Sequence, residues 1–573
     1  MICFRDLTRR ALSALCGISI AAKEKIIPYF EVIMQKLNVF IFGGRNKDMV
    51  QKGKAIIAAG HIGLGVGKDL FQNYIQPIAA EAMKELTGWE SFDLSEAAYS
   101  FFGDMANLLH NEFSSYLQDL VPLAFKSCLA DDGIEKHFKE KEKFSLDSDS
   151  EDEEKVDNLQ SITFKTTFID EKASAIHALG IWALNAPLAF QPYMDKCLEV
   201  FEGLWGYFHE NIRYQMLLTY QQFLESTIMT EHMSTENGKL PSPIPSFPPL
   251  QSLGQKSSSL YTHHVFPKLL DSILLEEDKE VVGKSLECLA DLLRSVGSCL
   301  LGESHLDPLG KSIIKMLQRK SECQKQKDDE DPEAEDDEEE EEDKDEALMV
   351  KEETGREEGD SEEEEDEIEE EDIDHDELLL VNVLDLIAAI AEATGDSPDI
   401  YSFIISMLKE TKKLLLPPHP QSDAVLAVGC IGDTLRFINS GIQVFYKELL
   451  PVCVQGCSSQ EDDMSRNCAY TIGIFAMYGK KDLMIQELPQ VLLALRTAFQ
   501  NSEKLEAKDN AVSALAKLLV NYSSAIPLEQ VFPAVFGNIP VNGDVEENPF
   551  LMTAILDFGE TSKIVVFFNS FRL

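Results

Sequence analysis

Gly63-Leu-Gly-Val-Gly-Lys68 is the segment that comes nearest to a phosphate-binding loop. The full motif needs glycine at position 62 and Ser or Thr after the lysine, to cradle phosphate and hold its magnesium. Ile62 and Asp69 stand there instead. The segment also follows a helical pattern rather than a strand, so it reads as a glycine turn that ends a helix. His263 and His264 are adjacent but have no acidic or cysteine partner at ligand spacing. His177 lies on an alanine-rich helical face and reads as a packed residue. Cys453 and Cys457 lie four apart, without a second pair or a nearby histidine, and many of the other cysteines (Cys16, Cys197, Cys288, Cys430, Cys468) fall on helical apolar faces. That pattern reads as reduced, buried thiols rather than a disulfide framework. Neither Gly-x-Ser-x-Gly nor His-Glu-x-x-His occurs. No catalytic group, cofactor or metal centre is expected, and the chain reads as a binding protein rather than an enzyme.

Charge is the next candidate for chemistry. The formal net charge is −49. Between Asp328 and Glu377 stand 34 acidic and 3 basic residues, so most of the excess sits in one tract. Such a tract cannot bury apolar area and is expected to be disordered. It repels phosphate, which argues against direct nucleic-acid binding, and it suits a basic protein partner through long-range attraction. The bland alternative is a solvated linker. A smaller acidic loop, Ser145-Leu-Asp-Ser-Asp-Ser-Glu-Asp-Glu-Glu154, places Ser148 and Ser150 three residues before Glu151 and Glu153, a spacing that suits an acidophilic kinase.

The elements that would position such groups come from a recurring helical phrase. It reads Asp-Glu-Lys-Ala-Ser-Ala-Ile-His-Ala-Leu-Gly from Asp170 and returns from Asp278, Glu461 and Glu503. Each copy opens with acidic residues, which suit a helix N-terminus, and continues with small and apolar residues at helical spacing. Openings near Asp48, Leu94, Asp170, Glu210, Asp278, Asp376, Gln421, Glu461 and Glu503 give five of eight steps between 40 and 46 residues. Two-helix HEAT or armadillo units have roughly that period, about 40–47. The three longer steps each contain an insertion without apolar periodicity. A second helix with a Tyr/Phe-Leu-x-x-Leu/Pro flavour precedes several copies, as in Phe445-Tyr-Lys-Glu-Leu-Leu-Pro451. The expected fold is all-α: a HEAT-repeat solenoid, a right-handed superhelix of antiparallel helix pairs with no sheet. HEAT repeats are expected over 1–130, 162–230, 260–327 and 378–557. An acidic Ser-rich insertion over 131–161, a Pro/Ser-rich insertion over 231–259 and the acidic loop over 328–377 separate them, and 558–573 is an atypical tail. The best membrane candidate, Leu378 to Ala391, contains Asp385 and is too short to span a bilayer, so no membrane insertion is expected.

The phrases resemble the repeats of the importin-β (karyopherin-β) nuclear transport receptors, nearest to the importin-4 type and to the C-terminal half only. The residues that carry the likeness are Asp170-Glu-Lys-x-x-Ala-x-x-Ala-Leu-Gly180, Ser465-Arg-Asn-x-Ala-Tyr-x-Ile-Gly473, Ala507-Lys-Asp-Asn-Ala-Val-Ser-Ala-Leu515 and Ile526-Pro-Leu-Glu-Gln-Val-Phe-Pro533. The resemblance implies a nuclear import receptor that binds basic localisation signals of cargo such as ribosomal proteins or histones. It implies passage through nuclear pores on Phe-Gly nucleoporins, control by the Ran GTPase, and residence in cytoplasm, nucleus and nuclear-envelope pores. The main Ran contact of the family lies in its N-terminal half, so the start on a helix at Met1-Ile-Cys-Phe4 is expected to belong to a longer receptor. On this resemblance the second helix of each repeat lines an inner face, and Asn467, Glu503, Asp509 and Asn510 are the expected cargo contacts. Asn467 and Asn510 stand one repeat apart, and their acceptors suit an ammonium, which offers three donors and no acceptor. The same residue types also brace loops through backbone hydrogen bonds. The rival readings are a HEAT scaffold and an acidic chaperone of basic proteins without transport activity.

Overall fold

The structure, a computed structural model, describes residues 2–43, 49–88, 92–130, 135–138, 159–164, 166–232, 249–325, 350–352, 361–552 and 556. The chain divides into two compact units. One is Met1–Ser246 with Leu253–Ser272 and Gln326–Glu367; the other is Phe247–Ser252 with Ile273–Lys325 and Ile368–Leu573.

The first unit begins with α1 (Ile2–Ala22), α2 (Phe30–Ile41), α3 (Met49–Val66), α4 (Lys68–Gly88), α5 (Phe92–Leu109) and α6 (Ser114–Cys128). It continues with α7 (Thr166–Asn185), α8 (Pro187–Phe190), α9 (Met194–Glu202), α10 (Glu210–His232) and α11 (Gln255–Leu260), and α12 (Phe266–Leu275) follows. The phrase-bearing helices lie side by side in one layer, α1 on α3, α3 on α5, α5 on α7 and α7 on α10. Helices α4, α6, α8 and α9 form the second layer. The largest fully buried side chains sit between the layers. Trp182 of α7 is sealed among Tyr99, Phe102 and Phe113, and its indole N–H donates to the Phe102 carbonyl at 3.3 Å. A buried indole needs such a partner.

The second unit holds α13 (Lys279–Val296), α14 (Glu303–Leu317), α16 (Pro398–Thr411), α17 (Gln421–Phe437), α18 (Ile442–Gly456), α19 (Asp462–Tyr478), α20 (Lys481–Asn501), α21 (Leu505–Tyr522) and α22 (Leu528–Phe536). Between α14 and α16 runs α15 (Ser361–Thr394). The same layering recurs, with α17 on α19 and α19 on α21 in one layer and α18 on α20 in the other. Helix α13 shows how the residues dictate the element. The Asp278 carboxylate accepts from the Val281 N–H at 2.9 Å and caps the start. Val282, Leu286, Leu289 and Leu293 form the buried stripe, while Glu287 and Asp291 face solvent. Gly297, at φ 106°, ends the helix in a conformation that side chains disfavour. Six helices, α4, α6, α14, α18, α20 and α22, contain an internal proline (Pro77, Pro122, Pro308, Pro451, Pro489, Pro533). Each removes one helical hydrogen bond, as the Tyr/Phe-Leu-x-x-Leu/Pro reading anticipates.

This is the HEAT-repeat solenoid class expected from the period. Three differences concern the insertions. A small sheet, β1 (Glu135–Phe138), β2 (Leu159–Phe164) and β3 (Val350–Glu352), is present where no sheet was expected; β2 is central, antiparallel to β1 and parallel to β3, with Ile162 opposite Val350. Helix α15 reaches back to Ser361, so 361–377 is helical rather than disordered. Glutamate is a good helix former, a helix already built from Leu378 onward extends without a new nucleus, and carboxylates are favourable at an N-terminus. Helix α11 begins within the expected Pro/Ser-rich insertion, anchored by Glu231, whose carboxylate accepts from the Lys256 and Ser257 N–H groups at 2.7 and 3.0 Å. The segments 139–158, 233–248, 326–349, 353–360 and 557–573 lie outside the described residues, and with them Ser148, Ser150, much of the acidic tract and the expected tail.

Candidate functional site

The four residues singled out from the sequence lie around α19 and α21 in the second unit. Asn467 of α19 is half-buried and donates its amide N–H to the Val425 carbonyl of α17 at 2.9 Å. Glu503 is exposed on the link before α21, and its backbone N–H meets Asp462 at 3.1 Å. Asp509 is 5% exposed, and one of its oxygens accepts from the N–H groups of Asn542, Gly543 and Asp544 at 3.1, 2.6 and 3.2 Å. Asn510 is 1% exposed and donates to the Glu506 carbonyl and to Asp544 at 3.0 and 2.8 Å. The four therefore do not converge on one accessible pocket. Asp509 and Asn510 brace the loop that follows α22, because buried acceptors and donors must be paired within the protein; they are not surface contacts.

A packing rule explains where Asn467 sits. A cβ placed on Gly429 of α17 would lie 2.9 Å from the Asn467 amide. The same relation joins Gly180 to Gln222, Gly283 to Asn382, Gly473 to Lys517 and Gly60 to Asp104. In each case a glycine of one phrase helix leaves a notch for a polar side chain of the next. Close approach thus buries polar groups in the phrase-helix layer, and their unused valences set its chemistry.

In the first unit that layer carries a cavity of about 410 Å³. It is lined from α3 by His61, from α5 by Glu96, Tyr99, Asp104 and Asn107, from α7 by Asp170 and His177, and from α10 by Asn211 and Gln215, among others. No lysine or arginine lines it. Asp104 is fitted into the Gly60 notch, where a Cβ would stand 2.4 Å from its Oδ2. That oxygen is sealed from solvent without a hydrogen-bond partner, as are His61 Nδ1, His177 Nδ1 and Gln215 Oε1. His61 Nε2 lies 3.8 Å from Asp104, beyond a hydrogen bond. Burial pushes the Asp104 carboxyl up to about 7 and pushes His61 and His177 down, so both imidazoles are neutral at pH 7. The cavity offers carboxylate, imidazole, amide and hydroxyl groups and no cationic side chain. His177, expected as a packed residue, is half-buried at its edge.

No family model matches the chain. Sequence comparison finds the probable importin subunit beta-4 of Schizosaccharomyces pombe, 24% identical over 96% of this chain and 49% of the relative. It also finds importin-4 of Homo sapiens, 25% identical over 94% of this chain and 46% of the relative. The chain is similar to importin-β-type receptors over nearly its whole length. It spans about half the length of these curated relatives. Solved structures of the karyopherin Kap121p, one bound to Pho4p and one bound to Nup53p, superpose with TM-scores of 0.63 and 0.61 at 20% identity. They cover 97% and 96% of this chain and 47% and 46% of theirs. At that identity the superposition shows the shared fold.

In this importin-like chain the other candidates resolve simply. The Gly63–Lys68 segment ends α3, with Gly67 at φ 83° and its N–H on the Gly63 carbonyl at 3.0 Å. His264 Nδ1 lies 3.7 Å from Glu202, and among the described residues no group of three metal-ligating side chains converges. Ten cysteines are free of disulfide bonds among the described residues, and eight of these are buried. No single described helix is long and apolar enough to cross a membrane. The apolar register of the importin-like phrases does not mark Asp104. The signal was present in Gly60 and Asp104, one repeat apart.

Proposed function

We propose that this chain is the cargo-handling part of a nuclear import receptor, one that takes basic localisation signals of proteins such as ribosomal proteins or histones. The observation that carries the reading is the carboxylate-bearing cavity of the first unit, which no lysine or arginine lines, in a chain whose relatives are importins. Carboxylates there form charge-assisted hydrogen bonds with lysine or arginine, about twice as strong as neutral ones. In the second unit Asn467 and Glu503, which keep access to solvent, add cargo contacts; the buried Asp509 and Asn510 do not. Phe-Gly nucleoporins are the proposed pore partners, Ran the proposed control of release, and shuttling between cytoplasm and nucleus the proposed residence.

The test is binding of a fluorescent basic localisation peptide together with binding to immobilised Phe-Gly repeats. The receptor reading expects both. Peptide binding without Phe-Gly binding would instead indicate an acidic chaperone, and neither would indicate a scaffold.

A further inference from the structure

The second unit gathers positive charge at one edge, where α14, α16 and α17 meet. In a chain of formal net −49, residues 311–325 hold five basic and one acidic residue, and 409–419 hold three and one. Gln318 and Lys320 after α14, Glu410 at the end of α16, and Lys413 and His419 between α16 and α17 line a cavity of about 240 Å³. Buried Leu317 and Leu414 form its floor. Helix α14 ends there in a left-handed turn. The Lys320 N–H meets the Lys315 carbonyl at 2.8 Å, and the Arg319 N–H meets the Met316 carbonyl at 3.0 Å. Glycine usually takes the left-handed position of such a turn, yet Arg319 holds it at φ 57°. A glycine would lack the side chain that this site uses. The Arg319 guanidinium donates to both oxygens of Asp423 at 3.2 and 3.0 Å, and Asp423 is 3% exposed. Asp423 also lies 3.3 Å from His419 Nδ1. One buried carboxylate thus fixes two walls of the cavity: the turn that presents Lys320, and the His419 ring. Backbone strain held in place by its surroundings concentrates at ligand clamps.

We propose that this cavity binds one phosphoryl group carried by a segment of a partner protein, with Lys320 as the primary contact and Lys413 and Gln318 as further donors. Among the described residues no carboxylate pairs with Lys320, whereas Glu410 holds Lys413 and Gln318 at 2.6 and 3.2 Å. A ligand must take those two donors from Glu410. A carboxylate carries one charge, as Glu410 does, and gains nothing by the exchange. A phosphoryl group carries about −1.5 to −2 at pH 7 and three strong acceptor oxygens, so it displaces Glu410. Two ammonium groups and an amide also do not form the planar fork that matches a carboxylate, and an ammonium serves phosphate as a point charge. Apart from the phosphoryl group the partner segment is neutral or basic, because the net −49 of the chain repels a polyanion. The inference goes beyond the receptor reading. It adds a contact in the second unit that phosphorylation of the partner switches on.

The experiment uses the whole chain and a labelled neutral heptapeptide carrying one phosphoserine, with its serine and glutamate counterparts, at constant ionic strength and pH 7.5. Fluorescence anisotropy should show the phosphoserine peptide bound at least about tenfold more tightly than either counterpart. Lys320→Ala should weaken that binding about ten- to a hundredfold, as expected for one lost charged hydrogen bond. It should leave the binding of basic peptides as in the wild type. Glu410→Gln releases Lys413 and Gln318, so it should tighten phosphoserine binding and narrow the margin over glutamate. Lys480→Ala, at an exposed lysine that does not line the cavity, should change neither. Circular dichroism confirms that the three variants are folded. If the wild type binds the phosphoserine and serine peptides alike, or if Lys320→Ala leaves phosphoserine binding unchanged, the site is overturned. An equal loss in Lys480→Ala reduces the effect to general attraction and overturns it as well. A glutamate peptide bound as tightly as the phosphoserine one overturns the phosphoryl assignment. Inorganic phosphate bound as tightly as the phosphopeptide overturns the partner segment as its source.

Discussion

Asp104 shows how one buried carboxyl ties stability to pH. Its carboxyl is raised by burial from the ordinary 3.8 to about 7. The unfolded chain therefore releases its proton near pH 4, while the folded chain holds it until about pH 7. Between those values the folded state binds more protons than the unfolded state, so stability falls as pH rises through the window. Below it the effect vanishes, and above it the penalty is full. Asp104→Asn keeps the size and removes the charge. Its melting temperature is expected to exceed that of the wild type at pH 7.5 and to match it closely at pH 4. A gain independent of pH would show that the Asp104 carboxyl is not the strained group. The position was hidden in the sequence because an aspartate on a helix usually marks the solvent side, and only the glycine on the neighbouring helix turns it inward.

At the scale of elements, the period and the small-residue phrases fixed much of what the structure contains. Acidic openings became caps and first turns, as at Asp278 and at Asp462, whose carboxyl is held below its usual range by the N–H groups of Lys504 and Glu503. The prolines fell within alternate helices as expected. The insertions were less legible, because β2 and the N-terminal extension of α15 depend on pairing or propagation from elements distant in sequence. The same limit applies to Asp509 and Asn510: spacing placed them on a helix but not on its buried side, where the loop after α22 claims them. Asp509→Ala strips the acceptor from three backbone N–H groups of 542–544. An N–H left without a partner costs up to about 1–3 kcal/mol where water cannot replace the acceptor. It is therefore expected to lower the denaturant midpoint far more than Asp462→Ala, whose partners reach water, and to leave basic-peptide affinity unchanged. A loss of affinity in the folded Asp509→Ala protein would return that residue to the binding surface. Trp182→Ala should be more severe still, about 3–5 kcal/mol, since it empties the space between both layers of the first unit and frees the Phe102 carbonyl.

For the whole molecule, charge sets the rate at which a partner arrives. Of the formal −49, a net −31 lies within Asp328–Glu377. Attraction between that tract and a basic segment acts over about one Debye length, roughly 8 Å at physiological salt and 30 Å at 0.01 M. Steering of this kind raises association rates more than it slows dissociation. Deleting 328–360 leaves α15 intact and removes 21 acidic and 3 basic residues, a net −18. The association rate of a basic peptide should then fall about tenfold or more at 0.01 M salt, and the two proteins should converge as salt approaches 0.5 M. On the proposed function a cavity carboxylate such as Asp104 gives the complementary pattern, because a partly desolvated contact is screened less: Asp104→Asn should act mainly on dissociation and keep its effect at high salt. Stopped-flow measurement of both rate constants for the deletion, for Asp104→Asn and for the two combined separates capture from retention. Equal association rates with and without 328–360 at low salt would reduce the tract to a linker, and the cavity carboxylates would then have to account for affinity alone.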